Sequence, residues 1–380
     1  MLSRRTFVLT AATLFVGLLA GPATHAAGPD PATYERLVGG ATQFLAGAQA
    51  EDGSFSGQFG SGVTSLVATA LMRHGRTPAD PVVAKALDYV QGKVQPDGGV
   101  YQPGTRYRNY ETCLAILCFS EAKQRLANDD KGDNGRYDLL LAGADRFIRD
   151  LQWDEGEGHG PESMNHGGGG YGKHGRPDGS NTGFLVEALK AGGADEDDPA
   201  VKAALLFVSR MQNLETEYNT SPFAAKVGDG GFYYTPAAGG QSQAGTTANG
   251  GLKSYGSMTY VGLKSMIYAG VGPDDPRVKA AYAWVSRNYT LDTNPGMGSA
   301  GYYYYLHTFA KALDALGKKT VTDAAGVEHD WRRELVEQLA KQQKADGSWI
   351  NDNERWLESD PKLVAGYCLL ALAYCTPEAP

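Results

Sequence analysis

The sequence contains few cysteines, no block of basic residues and only one long apolar run. Its 380 residues include four cysteines, far fewer than small domains held together by disulfides use. All four cysteines lie in apolar stretches, so we predict buried thiols. The net charge is -8, and no basic cluster that would track phosphates is present, so a nucleic-acid partner is not expected. No phosphate-binding loop or Gly-x-Ser-x-Gly elbow stands out.

The single long apolar run lies at the N-terminus and is typical of an export signal. Arg4 and Arg5 form a twin-arginine pattern, an apolar run extends to about Ala20, and Ala26 and Ala27 offer a cleavage site. The run is shorter than the roughly 20 residues that a spanning helix needs, although a retained anchor is the alternative. We predict that residues 1–27 are removed and that the mature chain is periplasmic or extracellular, without a membrane span.

The rest of the chain is repetitive. One recurring element is a glutamine, a short spacer, a glycine and an aromatic residue two positions later; its copies lie at 49–55, 95–101 and 343–349. Gln152 and Gln212 end similar helices but are followed by longer insertions. Repeats of this length indicate that each helix pair buries its apolar face against its neighbours.

A second element marks the starts of polar-backed helices. Asp-Pro pairs at 80–81, 198–199 and 275–276 precede apolar residues spaced i, i+4, i+7, which form one helix face. An aspartate N-cap followed by proline is a strong helix start. We predict six outer helices that begin near residues 32, 81, 137, 199, 276 and 331.

A third element predicts six inner helices that are apolar nearly all round. Its eight-residue copies are at 64–71, 112–119, 182–189, 259–266, 306–313 and 365–372. Helices of this kind are buried on both sides. The strict alternation predicts an all-α fold, an (α/α)6 toroid, spanning 28–380 as a single domain with glycine-rich insertions near 153–180 and 214–251. An open solenoid is the alternative.

The glutamine–glycine–aromatic element resembles the repeat of squalene–hopene and oxidosqualene cyclases. The resemblance covers roughly residues 30–375 and extends to the toroid of the protein prenyltransferase β-subunits and to exported bacterial proteins with prenyltransferase and squalene oxidase repeats. It implies a toroid with a central cavity for a hydrophobic terpenoid-type ligand. Fold does not fix chemistry, so each family motif needs its own test.

Two family sites lack credible counterparts. The stretch 195–198 matches the Asp-x-Asp-Asp acid of class II cyclases, but it lies at an outer-helix start, where we predict that Asp198 is a cap. The prenyltransferase zinc site resembles this chain only at His307, in the stretch 305–308. His159, His166 and His174 lie in a glycine-rich insertion with no recognisable metal spacing, and we predict neither a metal nor a cofactor.

The N-terminal ends of the inner helices are predicted to surround one mouth of the cavity. Aromatic and ionisable side chains around a concavity are what a ligand site needs. Glu111 and His307 are the predicted acid–base pair. The predicted cavity-lining residues are Tyr110, Asn181, Tyr255, Ser257, Tyr304, Trp356, Glu358 and Asp360.

Three classes of function remain open from the sequence. The first is binding, with or without cyclase- or isomerase-like conversion, of a terpenoid-type ligand. The second is a glycan lyase or hydrolase, in which paired carboxylates such as Glu111 with Glu358 or Asp360 act as acid and base. The third is a non-catalytic interaction domain. The ligand is thus a small hydrophobic molecule or a glycan, and the oligomeric state is left open.

Overall fold

The computed structural model describes residues 28–127, 135–172 and 175–378. The predicted export signal at 1–27 and His174 lie outside these residues. The described residues contain thirteen α-helices: twelve in two sets of six, and one short helix, α8. The outer helices are α1 (Pro31–Ala48), α3 (Pro81–Gln91), α5 (Asp138–Arg149), α7 (Pro199–Arg210), α10 (Pro276–Arg287) and α12 (Trp331–Gln342). The inner helices are α2 (Gly62–Arg73), α4 (Arg108–Ala127), α6 (Gly179–Ala191), α9 (Gly256–Tyr268), α11 (Tyr302–Ala315) and α13 (Pro361–Leu372).

Two small features lie outside this alternation. The helix α8 (Ala224–Val227) is a single turn in the insertion before α9. A two-stranded antiparallel hairpin, Val321–Thr322 with Glu328–His329, connects α11 to α12. Neither interrupts the packing of inner on outer helices. Across the part of the chain that the structure describes, no helix is long and apolar enough to cross a membrane.

The inner helices form a closed ring. Each packs against the next in chain order, and α13 packs against α2, while α1 packs against α12 and α13. The ring is possible because the inner helices are buried along almost their whole length, whereas the outer helices bury one face. The predicted all-α toroid is therefore confirmed, and the open solenoid is excluded.

Local capping chemistry sets the starts of the outer helices. Asp80, Asp198 and Asp275 each accept a hydrogen bond from a backbone N–H of the first helical turn, with proline following. Asp198 also accepts a hydrogen bond from Arg149 Nη1 at 2.9 Å. Because its Oδ1 accepts from the Ala200 N–H in the first turn of α7 at 2.8 Å, the cap predicted for Asp198 is confirmed.

In four of its copies, the repeated glutamine links one outer helix to the next. Gln49 Nε2 donates to the carbonyl of Gly53 in its own loop and to the carbonyl of Val82 in the first turn of α3, both at 2.9 Å. Gln152, Gln212 and Gln343 make the same pair of bonds in their repeats. Gln95 is the exception, since both of its bonds stay within its own loop.

The glycine of the element lies where a side chain would not fit. A Cβ on Gly53 would lie 2.3 Å from the Lys85 carbonyl oxygen of α3, and one on Gly347 would lie 2.2 Å from the Gly40 carbonyl oxygen of α1. Both glycines also have positive φ, a conformation that glycine adopts without strain. The glutamine and the glycine together hold consecutive outer helices at a fixed distance, including α12 with α1 across the ring closure.

Candidate functional site

The inner-helix starts meet at one end of the ring, which we call the mouth. Tyr304, at the start of α11, shares a 2.9 Å hydrogen bond with Ser180 at the start of α6. The Tyr303 and Tyr304 amides of α11 donate to Glu358, which precedes α13. These bonds between non-consecutive elements place the predicted site residues at a common end of the toroid.

Glu111 is buried in the loop structure around α2. Its Oε2 accepts hydrogen bonds from Ser61 N at 2.8 Å, Ser61 Oγ at 2.9 Å and Gln102 N at 3.0 Å. Its Oε1 is buried with no hydrogen-bond partner among the described residues. A Cβ on Gly60 would lie 2.5 Å from this carboxylate, so the loop closes tightly over it. The geometry makes Glu111 a cap for the start of α2.

Glu358 and Asp360 also lie at inner-helix starts, Glu358 at that of α11 and Asp360 at that of α13. Glu358 Oε1 accepts from Tyr304 N at 2.8 Å and Oε2 from Asn351 Nδ2 at 2.6 Å. Burial raises the pKa of Glu358 despite these bonds. Asp360 is the N-cap of α13 and also accepts a hydrogen bond from Ser56 Oγ. Both carboxyl groups hold helix starts in place.

The predicted polar residues of the third and fourth inner helices are likewise part of the capping. Asn181 donates from its backbone N–H to Asp178 Oδ1 at 3.0 Å and from Nδ2 to Asp178 Oδ2 at 2.8 Å. Ser257 N donates to Asn294 Oδ1 at 3.0 Å. Tyr255 is buried as the N-cap residue of α9, and burial raises its pKa. None of these groups reaches far into solvent.

Aromatic side chains close the ring just below the mouth. Tyr110 meets Phe184 edge-on with centroids 5.2 Å apart, and Tyr304 lies 6.3 Å from Phe184 and 5.7 Å from Tyr367. Burial raises the pKa of Tyr110 to about 12. Tyr110 and Tyr304, both predicted to line the site, remain partly accessible. They form a layer between the mouth and the interior of the ring.

Trp356 lies at the surface of the mouth in a strained turn. Its φ is 57° and that of Leu357 is 64°, a region that bulky residues rarely adopt and that costs about 1–3 kcal/mol per residue. The indole is 43% exposed, with the Arg355 guanidinium 4.2 Å from its ring centre. A strained, exposed tryptophan is one of the few large apolar groups that the mouth presents to solvent.

His307 lines a small central cavity within the ring. The cavity has a volume of about 20 Å³ and is lined by side chains of α2, α4, α6, α11 and α13. His307 stacks on Tyr367 at 5.8 Å, and its Nδ1 is buried with no hydrogen-bond partner in the described part of the chain. Glu111 does not line this cavity. The structure therefore does not bring the predicted acid–base pair together, and its catalytic role stays a prediction.

A buried charge cluster beside His307 was not anticipated from the sequence. Glu187 of α6 forms ion pairs with Lys264 of α9 and Lys311 of α11 and accepts a hydrogen bond from each. All three side chains are at most 6% exposed. Burial alone would raise the pKa of Glu187, but the two ammonium groups outweigh it and lower that pKa. Burial lowers the pKa of both lysines.

A signal for this cluster was present in the repeat. Glu187, Lys264 and Lys311 all occupy the sixth position of the inner-helix element. The remaining copies have Thr69, Leu117 and Leu370 there, and all three line the central cavity. The sixth position therefore faces the axis of the ring in every repeat. Three charged residues in that one register could have identified the polar interior.

An open groove of about 810 Å³ lies on the mouth face, outside the ring. It is bordered by the first glycine loop, the end of α3 and the start of α13. Carboxylate, hydroxyl, amide and ammonium groups dominate its lining, which includes Glu51, Asp52, Ser54, Ser56, Gln58, Lys93, Gln102 and Lys362. Tyr89 supplies an aromatic surface, with Lys93 Nζ 4.6 Å from its ring centre. Ser56 connects the groove to Asp360.

The histidines of the 153–180 insertion make local contacts. His159 Nδ1 lies 3.1 Å from Ser163 Oγ, and its ring lies 4.7 Å from Trp153. His166 Nδ1 contacts the His159 carbonyl at 2.9 Å. Within residues 28–127, 135–172 and 175–378, no group of three His, Cys, Asp or Glu side chains could hold a metal ion.

Comparison by sequence finds no matching family model and no matching curated protein. Comparison by structure finds proteins of the same fold. The type II terpene cyclase MstE from Scytonema aligns with a TM-score of 0.52 and 13% identity, covering 92% of this chain and 99% of the cyclase. The fold-level resemblance to terpenoid cyclases is thus confirmed.

Glycosidases share the fold to the same degree. A glycosyl hydrolase family 88 protein from Bacteroides vulgatus aligns with a TM-score of 0.50 and 12% identity, covering 90% of this chain and 98% of the hydrolase. A further glycosidase aligns with a TM-score of 0.51 and 15% identity, covering 93% of this chain and 100% of the glycosidase. At such identities the likeness concerns the fold alone.

Proposed function

We propose that this protein is a non-catalytic saccharide-binding toroid that takes its ligand in the groove on the mouth face. The observation that carries the proposal is the contrast between an open polar groove of about 810 Å³ and a central cavity of about 20 Å³. Ligand sites are typically about 300–1,000 Å³. The groove is within that range, while the central cavity is far below it.

The chemistry of the groove suits a polyhydroxylated ligand. Its carboxylate and amide groups, such as Asp52, Gln58 and Gln102, can accept and donate to hydroxyls in fixed directions. Asp52 is held in place because its Oδ1 accepts from Ser54 N at 3.0 Å. Tyr89 offers a rigid surface that is apolar on its face and polar at its tip. A ligand with hydroxyl edges and an apolar ring face matches this combination.

The hydrogen bonding of the carboxyl groups at the mouth favours a binding protein over a hydrolase. Glu111, Glu358 and Asp360 all accept hydrogen bonds from backbone N–H groups. A general acid or base must reach the proton that it transfers within about 2.6–3.2 Å. These carboxylates are engaged with helix starts instead, so we assign them to the scaffold of the groove.

A terpenoid-type ligand inside the ring is the second candidate. The aromatic layer of Tyr110, Phe184, Tyr304 and Tyr367 favours it. Against it, an apolar ligand would have to displace this layer and lie against the ion cluster around Glu187, whose groups are costly to leave without polar partners. The cyclase and glycosidases of the same fold bring both classes of ligand into consideration without deciding between them.

The proposal predicts measurable binding that depends on the groove. Titration calorimetry of the mature chain with neutral and acidic oligosaccharides should identify a ligand. Tyr89→Ala and Gln58→Ala should each weaken binding about tenfold, corresponding to about 1.4 kcal/mol. Gln124→Ala, an exposed residue near the other end of α4, is the matched control and should bind normally. Saturable binding of a prenyl chain that ignores Tyr89→Ala would favour the second candidate, and release of shorter saccharides would show an enzyme.

We also propose that the protein acts outside the cytoplasm. The observation behind this is the pair Arg4 and Arg5 before the apolar run. Replacing both arginines by lysine should leave uncleaved precursor in the cytoplasm, as detected by fractionation and mass measurement. Export of that variant at the normal rate would contradict the twin-arginine assignment without affecting the groove.

A further inference from the structure

We propose that the central cavity is a binding site for one small monovalent anion of halide size. The proposal is independent of the groove and of the saccharide. It rests on the charge of the interior, on unused hydrogen-bond donors, on an unpartnered histidine and on the size of the cavity.

The interior carries one uncompensated positive charge. Lys264 and Lys311 share the single carboxylate of Glu187. Arg73, which lines the cavity, lies 3.4 Å from Glu121. Because Glu121 also pairs with Arg125 at 3.0 Å, the uncompensated charge is that of the fully buried cluster, in which two ammonium groups face one carboxylate. A charge taken out of water needs a compensating partner, and a bound anion would provide one.

The two ammonium groups also have donors to spare. An ammonium carries three N–H donors and no acceptor. Lys264 and Lys311 each donate to one oxygen of Glu187, and neither makes another hydrogen bond to the described residues. Lys311 lies at the cavity wall. Its remaining N–H groups meet no other oxygen of the described residues, and an anion in the cavity can accept from them.

His307 adds a donor to the same wall. It is 3% exposed, lines the cavity, and its Nδ1 has no hydrogen-bond partner among residues 28–127, 135–172 and 175–378. The titratable groups that act on it are Lys311, Glu187, Lys264 and Arg73. Burial lowers the pKa of His307 well below its ordinary value, so the ring is neutral and carries one N–H that can point at an anion.

Size selects the class of anion. About 10–15 Å³ is enough for one water-sized occupant, and the cavity measures about 20 Å³. A carboxylate-bearing molecule or a phosphate does not fit, whereas a monatomic anion does. Leu66, Leu114 and Phe184 also line the cavity, so a weakly hydrated ion such as bromide is favoured over one that holds its water strongly.

The test compares salts at constant ionic strength. We expect the unfolding temperature of the mature chain to rise by a few degrees from sodium methanesulfonate to sodium bromide, with saturation, because an ion that binds only the native state stabilises it. Crystals grown in bromide should show one anomalous scattering peak among Lys311, His307 and Arg73.

Lys311→Met separates this site from surface effects. In that variant Lys264 alone pairs with Glu187, so the buried cluster has no net charge and the difference between the salts should disappear. Lys279→Met removes a 60% exposed lysine and should keep the full difference. Equal unfolding temperatures in both salts, a salt effect that persists in Lys311→Met, or a cavity without anomalous signal would each overturn the proposal. The scattering measurement uses the unmodified protein, so it decides even if Lys311→Met does not fold.

Discussion

Replacing Glu187 by leucine should lower the free energy of unfolding by about 3–5 kcal/mol, as expected when one partner of a buried ion pair is removed. Lys264 and Lys311 would then lie buried within the ring without their carboxylate. Urea denaturation followed by circular dichroism measures the loss. A decrease below about 1 kcal/mol would mean that water reaches the lysines and that the ring is looser than described.

The matched control removes all three charges at once. A variant with Glu187→Leu, Lys264→Met and Lys311→Met replaces the cluster by apolar groups of similar size. Such replacements are often neutral, or stabilise by about 1–4 kcal/mol. We therefore expect the triple variant to be at least as stable as the unmodified protein, which would show that the loss in Glu187→Leu comes from unpaired charge and not from altered packing.

A comparison of the unmodified protein with the triple variant also tests a predicted pH dependence of stability. The folded-state pKa of Glu187 is lowered, so its contribution is present above the unfolded value of about 4.3 and is lost as the pH falls through the folded pKa. The folded-state pKa values of Lys264 and Lys311 are also lowered. The unfolded chain then binds more protons below about 10.4, so stability rises with pH in that window. Both slopes should be absent from the triple variant.

Replacing Gly347 by alanine should cost about 3–5 kcal/mol, at the upper end of single-residue effects. The added Cβ would lie 2.2 Å from the Gly40 carbonyl oxygen of α1, where the last repeat meets the first. Backbone must move to relieve this contact, and Gln343 would lose its hydrogen bond to Leu37. Hydrogen exchange should show α1 opening more readily than in the unmodified protein.

Gly317→Ala is the control for backbone strain. Gly317 also has a positive φ, 69°, but a Cβ there meets nothing within 4 Å. Its cost should be that of the conformation alone, about 1–2 kcal/mol. Equal losses in the two variants would show that the close approach to α1 is not what Gly347 provides.

Much of the fold could be predicted because its signals are local. An aspartate followed by proline satisfies the first N–H groups of a helix wherever it occurs, and the starts predicted near 81, 199 and 276 were found at Pro81, Pro199 and Pro276. The recurring glutamine and glycine marked the repeats. The role of these two residues was not evident, because both contact the backbone of a neighbouring repeat. For Gln49 the contacted carbonyl belongs to Val82, about 30 residues further along the chain.

The site depended on tertiary structure. Sequence alone determined that the chain alternates twelve helices in six pairs, since caps and apolar periodicity are properties of short segments. Only ring closure decided which residues meet. It places the Glu111 carboxylate against the Ser61 loop, away from His307. It also brings Glu187 into contact with Lys264 and Lys311. Those lysines lie 77 and 124 residues from Glu187. A helix that is apolar nearly all round has no face that periodicity can single out, so the direction of its few charged residues is set by the neighbouring helices.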